Sequence, residues 1–469
     1  MSGVPLGFTV PADRRARVAI DLGAESCRLS LLRWIDGHAQ IEMVHRFANA
    51  PINLNGSIRW DLQAICGGVE HGLRQCAEIA SEGISSIGVD GWAVDYVRLT
   101  PDGNPADRPY CYRDPRTIPA FDAIHRRISI ERLYALTGIQ PLTINTLYQL
   151  YADKCEGVPS NLPWINLPEY ILHWLGAERV AEYTNATHTG LVDLHTKNWS
   201  QEIFYAAGLD IAAAPRIVPP GTEIGKLHGS LAGLSAFRDT YLIATACHDT
   251  ASAIAGISAT QEDWAYISSG TWSLVGALID IPCSTEEARE KGFTNLGAAG
   301  NKTCFHKNVN GMWIVQQCIE HWARQGKSWT VQELIERAER CAVPKAMLDL
   351  EDADLLLPGN MPERINTQSE RLGSERIAES ADNGPQVANL IFHSLAHKYA
   401  QVLLDLKRIT GKNPQHIYVV GGGSRNYLLN RLIAQGTGIR VLCGDVESST
   451  IGNLRLQAGT KLHRLASEG

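Results

Sequence analysis

Val18-Ala19-Ile20-Asp21-Leu22-Gly23-Ala24-Glu25-Ser26-Cys27-Arg28-Leu29-Ser30-Leu31 and, past the middle of the chain, Ala265-Tyr266-Ile267-Ser268-Ser269-Gly270-Thr271-Trp272-Ser273-Leu274-Val275-Gly276 follow one pattern. Each is an apolar run, a tight turn of small polar residues around one glycine, and a second run, which reads as a β-hairpin. A glycine at the bend lets backbone N–H groups approach an anion closely, and flanking hydroxyls add donors. Two such turns can close on one polyphosphate from opposite sides. Taken alone, either stretch also reads as an ordinary hairpin; their likeness argues for a duplicated domain with a cleft between the copies. Asp21 at the first bend supplies a carboxylate able to hold Mg²⁺ through water. Phosphoryl transfer is therefore the working expectation.

The rest of the composition agrees. A chain of 469 residues is too long for one ordinary core, so two domains are expected. With 44% hydrophobic and 20% charged residues it is globular rather than disordered. A formal net charge of −7 gives no bulk attraction to nucleic acid or to an anionic membrane, so small-molecule substrates fit better. The 11 cysteines are scattered, with no C-x-x-C pair, which favours free thiols in a reducing compartment. Met1 to Arg17 lacks the apolar centre of a signal peptide, and no apolar run is long enough to span a bilayer. A cytoplasmic protein is expected.

Along the chain, Ile87 to Leu99 reads as one buried strand ending at Pro101-Asp102-Gly103, and its two aspartates, Asp90 and Asp95, need a partner, a metal or a ligand. Asn145 to Leu150 opens a helix. Tyr241 to Ala246 is a strand running straight into His248-Asp249-Thr250-Ala251, and the boundary between the halves is placed just after that segment. Val387 to Leu406 has helical spacing, stopped by Gly411 and Pro414. His416 to Val420 is a strand, Gly421-Gly422-Gly423 follows, and Ser424-Arg425-Asn426 can cap a helix carrying Leu428 and Leu432. Residues 357–385 look polar and loop-rich.

Three places carry candidate chemistry. The Gly421 to Gly423 turn suits a nucleotide at a helix start, although it matches neither the Walker A spacing nor the dinucleotide fingerprint and reads equally as a tight turn. Asp249 is either a helix-capping carboxylate or the base that takes the proton of an attacking hydroxyl. His248 beside it reads as a hydrogen-bonding wall. Trp92 and Trp313 offer an aromatic face to a sugar or belong to the core. Asn308, Asn310 and Gln316 surround Gly311-Met312-Trp313 with amides that donate and accept.

These stretches, with Arg59-Trp60-Asp61, Tyr112-Arg113-Asp114 and Glu182-Tyr183-Thr184-Asn185-Ala186-Thr187, resemble the FGGY family of carbohydrate kinases, in particular its rhamnulokinase branch, from about Arg17 to Ala458. The resemblance implies two actin-like (ribonuclease H-like) α/β domains, at 17–255 and 256–469 after an extension over 1–16, with ATP and Mg²⁺ in the cleft. It implies Asp249 as general base and Asp21 as the Mg²⁺-associated carboxylate. It places Ala24, Glu25, Ser26, Cys27, Arg28, Gly270, Thr271, Gln316, Gly422 and Gly423 on the nucleotide, and Asp90, Trp92, Ala93, His248, Thr250 and Asn308 on the sugar. The implied products are ADP and a phosphorylated ketose.

The chain departs from that pattern where Glu25 and Cys27 replace a hydroxyl and a glycine of the phosphate hairpin. A carboxylate about 4 Å from a phosphate charge costs up to roughly 4 kcal/mol at an effective dielectric near 20, so Glu25 either points away or is neutralised by Mg²⁺ or Arg28. Gly91-Trp92-Ala93 likewise exchanges small residues beside the sugar, which leaves L-rhamnulose, fuculose, xylulose or a tetrulose as acceptors. A catalytically weakened sugar and nucleotide sensor is the reading from another class.

Overall fold

The computed structural model describes residues 8, 11–259 and 261–459. Most of the expected extension over 1–16, and positions 460–469 of the expected second domain, lie outside the described residues.

Strands β1 (Ala16–Leu22) and β2 (Ser26–Ile35) form the first expected hairpin, with Asp21 opposite Arg28. At its bend a Cβ on Gly23 would stand 2.4 Å from the Ser26 carbonyl oxygen, so only glycine turns the chain this tightly. β3 (His38–Ala48) pairs antiparallel with β2. β4 (Ile84–Gly91) runs parallel to β1 and brings Asp90 beside Asp21. β5 (Thr222–Lys226) and β6 (Tyr241–Ala244) complete a sheet of order β5-β6-β4-β1-β2-β3.

The second sheet contains β7 (Trp264–Ser269), β8 (Trp272–Ile279), β9 (Phe293–Gly297), β10 (Thr303–Asn310), β11 (His416–Val420) and β12 (Arg440–Cys443), in the order β9-β10-β8-β7-β11-β12. The two orders correspond. In each, a central strand (β1 or β7) pairs antiparallel with its hairpin sister on one side and parallel with a later strand on the other. A third antiparallel strand (β3 or β10) and a second parallel strand (β6 or β12) extend the two sides. Central strands buried on both faces, such as β1, require helices above and below, which makes each half an α/β unit.

Those helices are α1 (Leu62–Ile79), α2 (Thr146–Cys155), α3 (Tyr183–Thr187), α4 (Asp249–Ala255), α5 (Trp313–Arg324), α6 (Met361–Arg371), α7 (Gly384–Thr410), α8 (Tyr427–Thr437) and α9 (Ser448–Gln457), among shorter segments. Helix α7 buries Ile391, Leu395, Tyr399 and Leu406 in the second core, which also holds the stacked Phe293 and Phe305 rings, 4.6 Å apart. Each such aliphatic side chain stabilises by about 1.5–3 kcal/mol. Gly411 ends α7 in the left-handed region, and the Asn426 carboxamide accepts the Leu429 N–H at the start of α8, both as expected.

Two expectations are corrected. The run from Ile87 to Leu99 is not one strand: β4 ends at Gly91, the chain kinks through Val94 at φ 72°, and pairing resumes only over Tyr96–Arg98. The stretch 357–385 holds α6, capped by Asn360 and primed by Pro362 near its start. A further contact was not expected: α9, near the C-terminal end of the second half, packs across onto the first sheet. Leu454 packs on Ala19 and Leu32, and Gln457 Nε2 donates to the Val18 carbonyl at 2.9 Å. The crossing is so close that a Cβ on Gly452 would lie 1.8 Å from the Ser252 carbonyl oxygen of α4.

Candidate active site

The C-terminal ends of β1, β4 and β6 converge on three aspartates. Asp21 and Asp90 are neighbours in register, so their side chains share one face, and α9 lies against that face. Ser449 Oγ donates to Asp21 Oδ2 at 2.5 Å, and Asn453 Nδ2 donates to Asp90 Oδ2 at 2.6 Å. Arg28 reaches the same Asp21 oxygen at 3.1 Å and pairs through Nη1 with Glu447 at 3.0 Å. Burial raises both carboxyls against these partners, Asp90 further because the Asp21 charge adds to it. The Arg28 guanidinium opposes that rise most strongly at Asp21, which it contacts directly.

Asp249, first residue of α4, stands apart from this pair. Its side chain keeps 39% of its surface open to solvent. Oδ1 accepts the Thr250 hydroxyl at 3.1 Å and lies 3.3 Å from His248 Nε2. Desolvation by the surrounding walls outweighs the Thr250 donors and the Arg28 charge, and pushes the carboxyl up to about 6. It caps no helix N–H beyond its neighbour Thr250, and above pH 6 it is an ionised acceptor facing open space. His248 is buried and pushed down to about 3 by desolvation and then by His306, so it is neutral and serves as a wall and donor.

The loop bearing Asp249 is clamped from both sides. The Gly91 N–H donates to the Cys247 carbonyl at 3.0 Å, while Cys247 N–H donates to Glu182 Oε2 at 2.8 Å. This holds Gly91 against His248, with half-exposed Ala93 on one segment and Asp249 and Thr250 on the other.

Several candidate residues are placed differently from expectation. Asp90 is 0% exposed behind Asp21 and cannot touch a sugar. Trp92 is only 7% exposed, its ring lies 4.5 Å from that of Trp60, and both indole N–H groups donate to Asp95 Oδ2, at 2.8 and 2.6 Å. It is a buried support beneath Ala93. The Cys27 side chain is fully buried in the first core, so only its backbone can face a nucleotide. Gly423 is buried against Ser269, whose Oγ would sit 2.0 Å from an added Cβ; Gly422 alone of the pair opens to solvent. Trp313 packs partly against the second core.

The remaining nucleotide candidates sit on the two hairpin tips and nearby. Glu25 is exposed and has no ion pair among the described residues, Arg28 being engaged elsewhere, while Ser26 Oγ accepts Arg46 Nε at 2.8 Å. Arg46 is a cation beside the tip that the sequence reading passed over. Ala24 packs partly against the first core. Gly270 and Thr271 form the second, exposed tip, whose carbonyls receive the N–H groups of Gly311, Met312 and Trp313. Gln316 follows on the open face of α5, bonded to Glu320 at 3.3 Å, and Asn308 is exposed on β10, two residues past His306. Ser449, Asn453 and Glu447 were also missed; nothing local in the sequence marks α9 as part of this site.

Among the described residues no group of three or more His, Cys, Asp or Glu side chains could hold a metal. Mg²⁺ dehydrates reluctantly and is typically held by one or two carboxylates, water and substrate phosphates rather than by a cage of side chains. Asp21 is the carboxylate that fits, since its described hydrogen bonds all fall on Oδ2. Also among the described residues, no helix is long and apolar enough to cross a membrane, and all eleven cysteines are free.

Comparison with known proteins agrees with this architecture. Residues 16–256 match the model for the FGGY family of carbohydrate kinases, N-terminal domain, and residues 265–460 its C-terminal domain. A rhamnulokinase of Bacteroides thetaiotaomicron is 36% identical over 94% of this chain and 90% of its own length. One of Enterococcus faecalis is 35% identical over 95% and 89%. In fold, a ligand-bound xylulose kinase from Lactobacillus acidophilus is similar with a TM-score of 0.75 at 19% identity, covering 94% of this chain and 88% of that one.

Proposed function

The chain belongs to the FGGY family of carbohydrate kinases, phosphotransferases acting on an alcohol group, and from that premise we propose that it transfers the γ-phosphoryl group of ATP to a hydroxyl of a deoxyketose of the L-rhamnulose type. The names of its relatives support this acceptor. The observation that carries the mechanism is the partly solvent-open Asp249 carboxylate, whose charge is felt by the buried, Arg28-paired Asp21.

The sugar hydroxyl donates to Asp249, whose free oxygen accepts the proton as the hydroxyl oxygen attacks phosphorus. Thr250 donates to the other oxygen, which His248 Nε2 approaches to 3.3 Å, so the carboxylate is oriented before the substrate arrives. The hairpin tips at Gly23–Ser26 and Gly270–Thr271, with Gly422, supply backbone to the nucleotide, and Arg46 adds positive charge beside the first. Mg²⁺, held at Asp21, would offset the charge of the β- and γ-phosphates. Retention of Asp21 and Asp249 in bonded, ionisable form argues for turnover rather than for a sensor.

A coupled ADP-release assay over L-rhamnulose, L-fuculose, D-xylulose and a tetrulose tests the reading. L-Rhamnulose is expected to give the highest kcat/KM. Ligand-dependent thermal stabilisation without ADP release from any sugar would instead establish the sensor.

A further inference from the structure

The segment from Glu182 to His188 has no part in the transfer described above, yet it wraps the loop that carries the base. Glu182 receives the Cys247 N–H, and Thr184 Oγ1 receives the His248 N–H at 3.4 Å. At the C-terminal end of α3, His188 brings Nε2 to 3.0 Å from His248 Nδ1, with the two ring centres 3.9 Å apart. His248 Nε2 in turn stands 3.3 Å from Asp249 Oδ1.

A neutral imidazole has one N–H. Facing an ionised carboxylate, His248 must carry it on Nε2, so its Nδ1 is an acceptor and His188 Nε2 must be the donor. Remove that donor and His248 can move its proton to Nδ1, which turns a lone pair toward Asp249. His306, whose Nδ1 is taken by the Tyr266 hydroxyl at 2.9 Å, is near enough to disfavour a positive charge on His248, and burial keeps His188 neutral as well.

We propose that His188 is a positioning residue for the phosphoryl acceptor: its Nε2–H fixes the tautomer of His248 and thereby the aim of the Asp249 carboxylate at the sugar hydroxyl. The inference rests on Asp249 being the base.

The test compares His188→Leu, His188→Gln and Asp249→Asn with L-rhamnulose and ATP, each variant checked for cooperative unfolding, alongside ¹⁵N-imidazole NMR of the wild type and His188→Leu. His188→Leu is expected to lose about tenfold to a hundredfold in kcat with KM for ATP little changed, the scale of misaiming a reacting group. Glutamine, whose amide N–H can replace Nε2–H, should restore most of the loss. In the NMR spectrum His248 should be protonated on Nε2 in the wild type and mixed in His188→Leu, a readout independent of turnover.

An unchanged kcat in folded His188→Leu beside an inactive Asp249→Asn overturns this proposal alone, as does an unchanged His248 tautomer. Glutamine no better than leucine overturns it too. Full turnover by Asp249→Asn removes the base assignment and this proposal with it.

Discussion

Asp249 combines accessibility with a raised proton affinity, and both bear on rate. With its carboxyl at about 6, the fraction able to accept a proton falls as pH drops through that value. The acidic limb of the kcat/KM profile for the sugar should therefore bend near pH 6, not near 4. Asp249→Asn should lower kcat by about 10²–10⁴-fold with KM for ATP within a few fold, as steady-state kinetics will show. Glu25 tests the other ligand. Exposed and without a counter-ion among the described residues, it opposes the nucleotide through water, where a like charge at 4 Å is worth about 1 kcal/mol. Glu25→Gln should thus lower KM for ATP by up to about fivefold, the effect shrinking in added salt. At this scale the sequence marks which residue belongs to a motif but not which way it faces. Cys27 follows the rule of alternation: Arg28 faces Asp21, so its neighbour turns into the core. Trp92 could not be placed that way, because the kink at Val94 breaks the alternation that would have indicated its side.

Among the elements, the hairpins and the strand-to-helix step at Asp249 were legible because each is local, the first hairpin turning on Gly23, where a Cβ would meet the Ser26 carbonyl. Helix α9 was not singled out in the sequence at all. Its site role depends on contacts such as Ser449 with Asp21, 428 residues apart, and no local periodicity encodes them. Its docking is testable through Gly452, where a methyl group would meet the Ser252 carbonyl. Gly452→Ala should lower stability by about 1–3 kcal/mol, measured as a shift in the urea midpoint with unchanged slope.

For the whole molecule, the duplicated sheet order was foreshadowed by the repeated hairpin, whereas the packing of the last helix on the first sheet was not. Buried carboxyls also set how the fold responds to pH. Desolvation raises Asp95 to about 6, Glu169 to about 7 and Glu182 to about 8. A carboxyl whose proton is held more tightly in the folded state stabilises it fully below the unfolded value near 4, and that stability is lost as pH rises through the folded value. Conformational stability should therefore decline from pH 5 to 8.5, by at most about 1.4 kcal/mol per pH unit for each group titrating. Glu182→Gln should flatten the upper part of the decline in urea titrations.

Because α9 covers a sheet whose strands lie more than two hundred residues earlier in the chain, the order of synthesis matters. As the polypeptide leaves the ribosome, its leading half has to wait with Ala19 and Leu32 uncovered, and with Asp21 and Asp90 lacking their partners, until Gln457 has emerged. A chaperone thus has a defined apolar strip to shield during that interval.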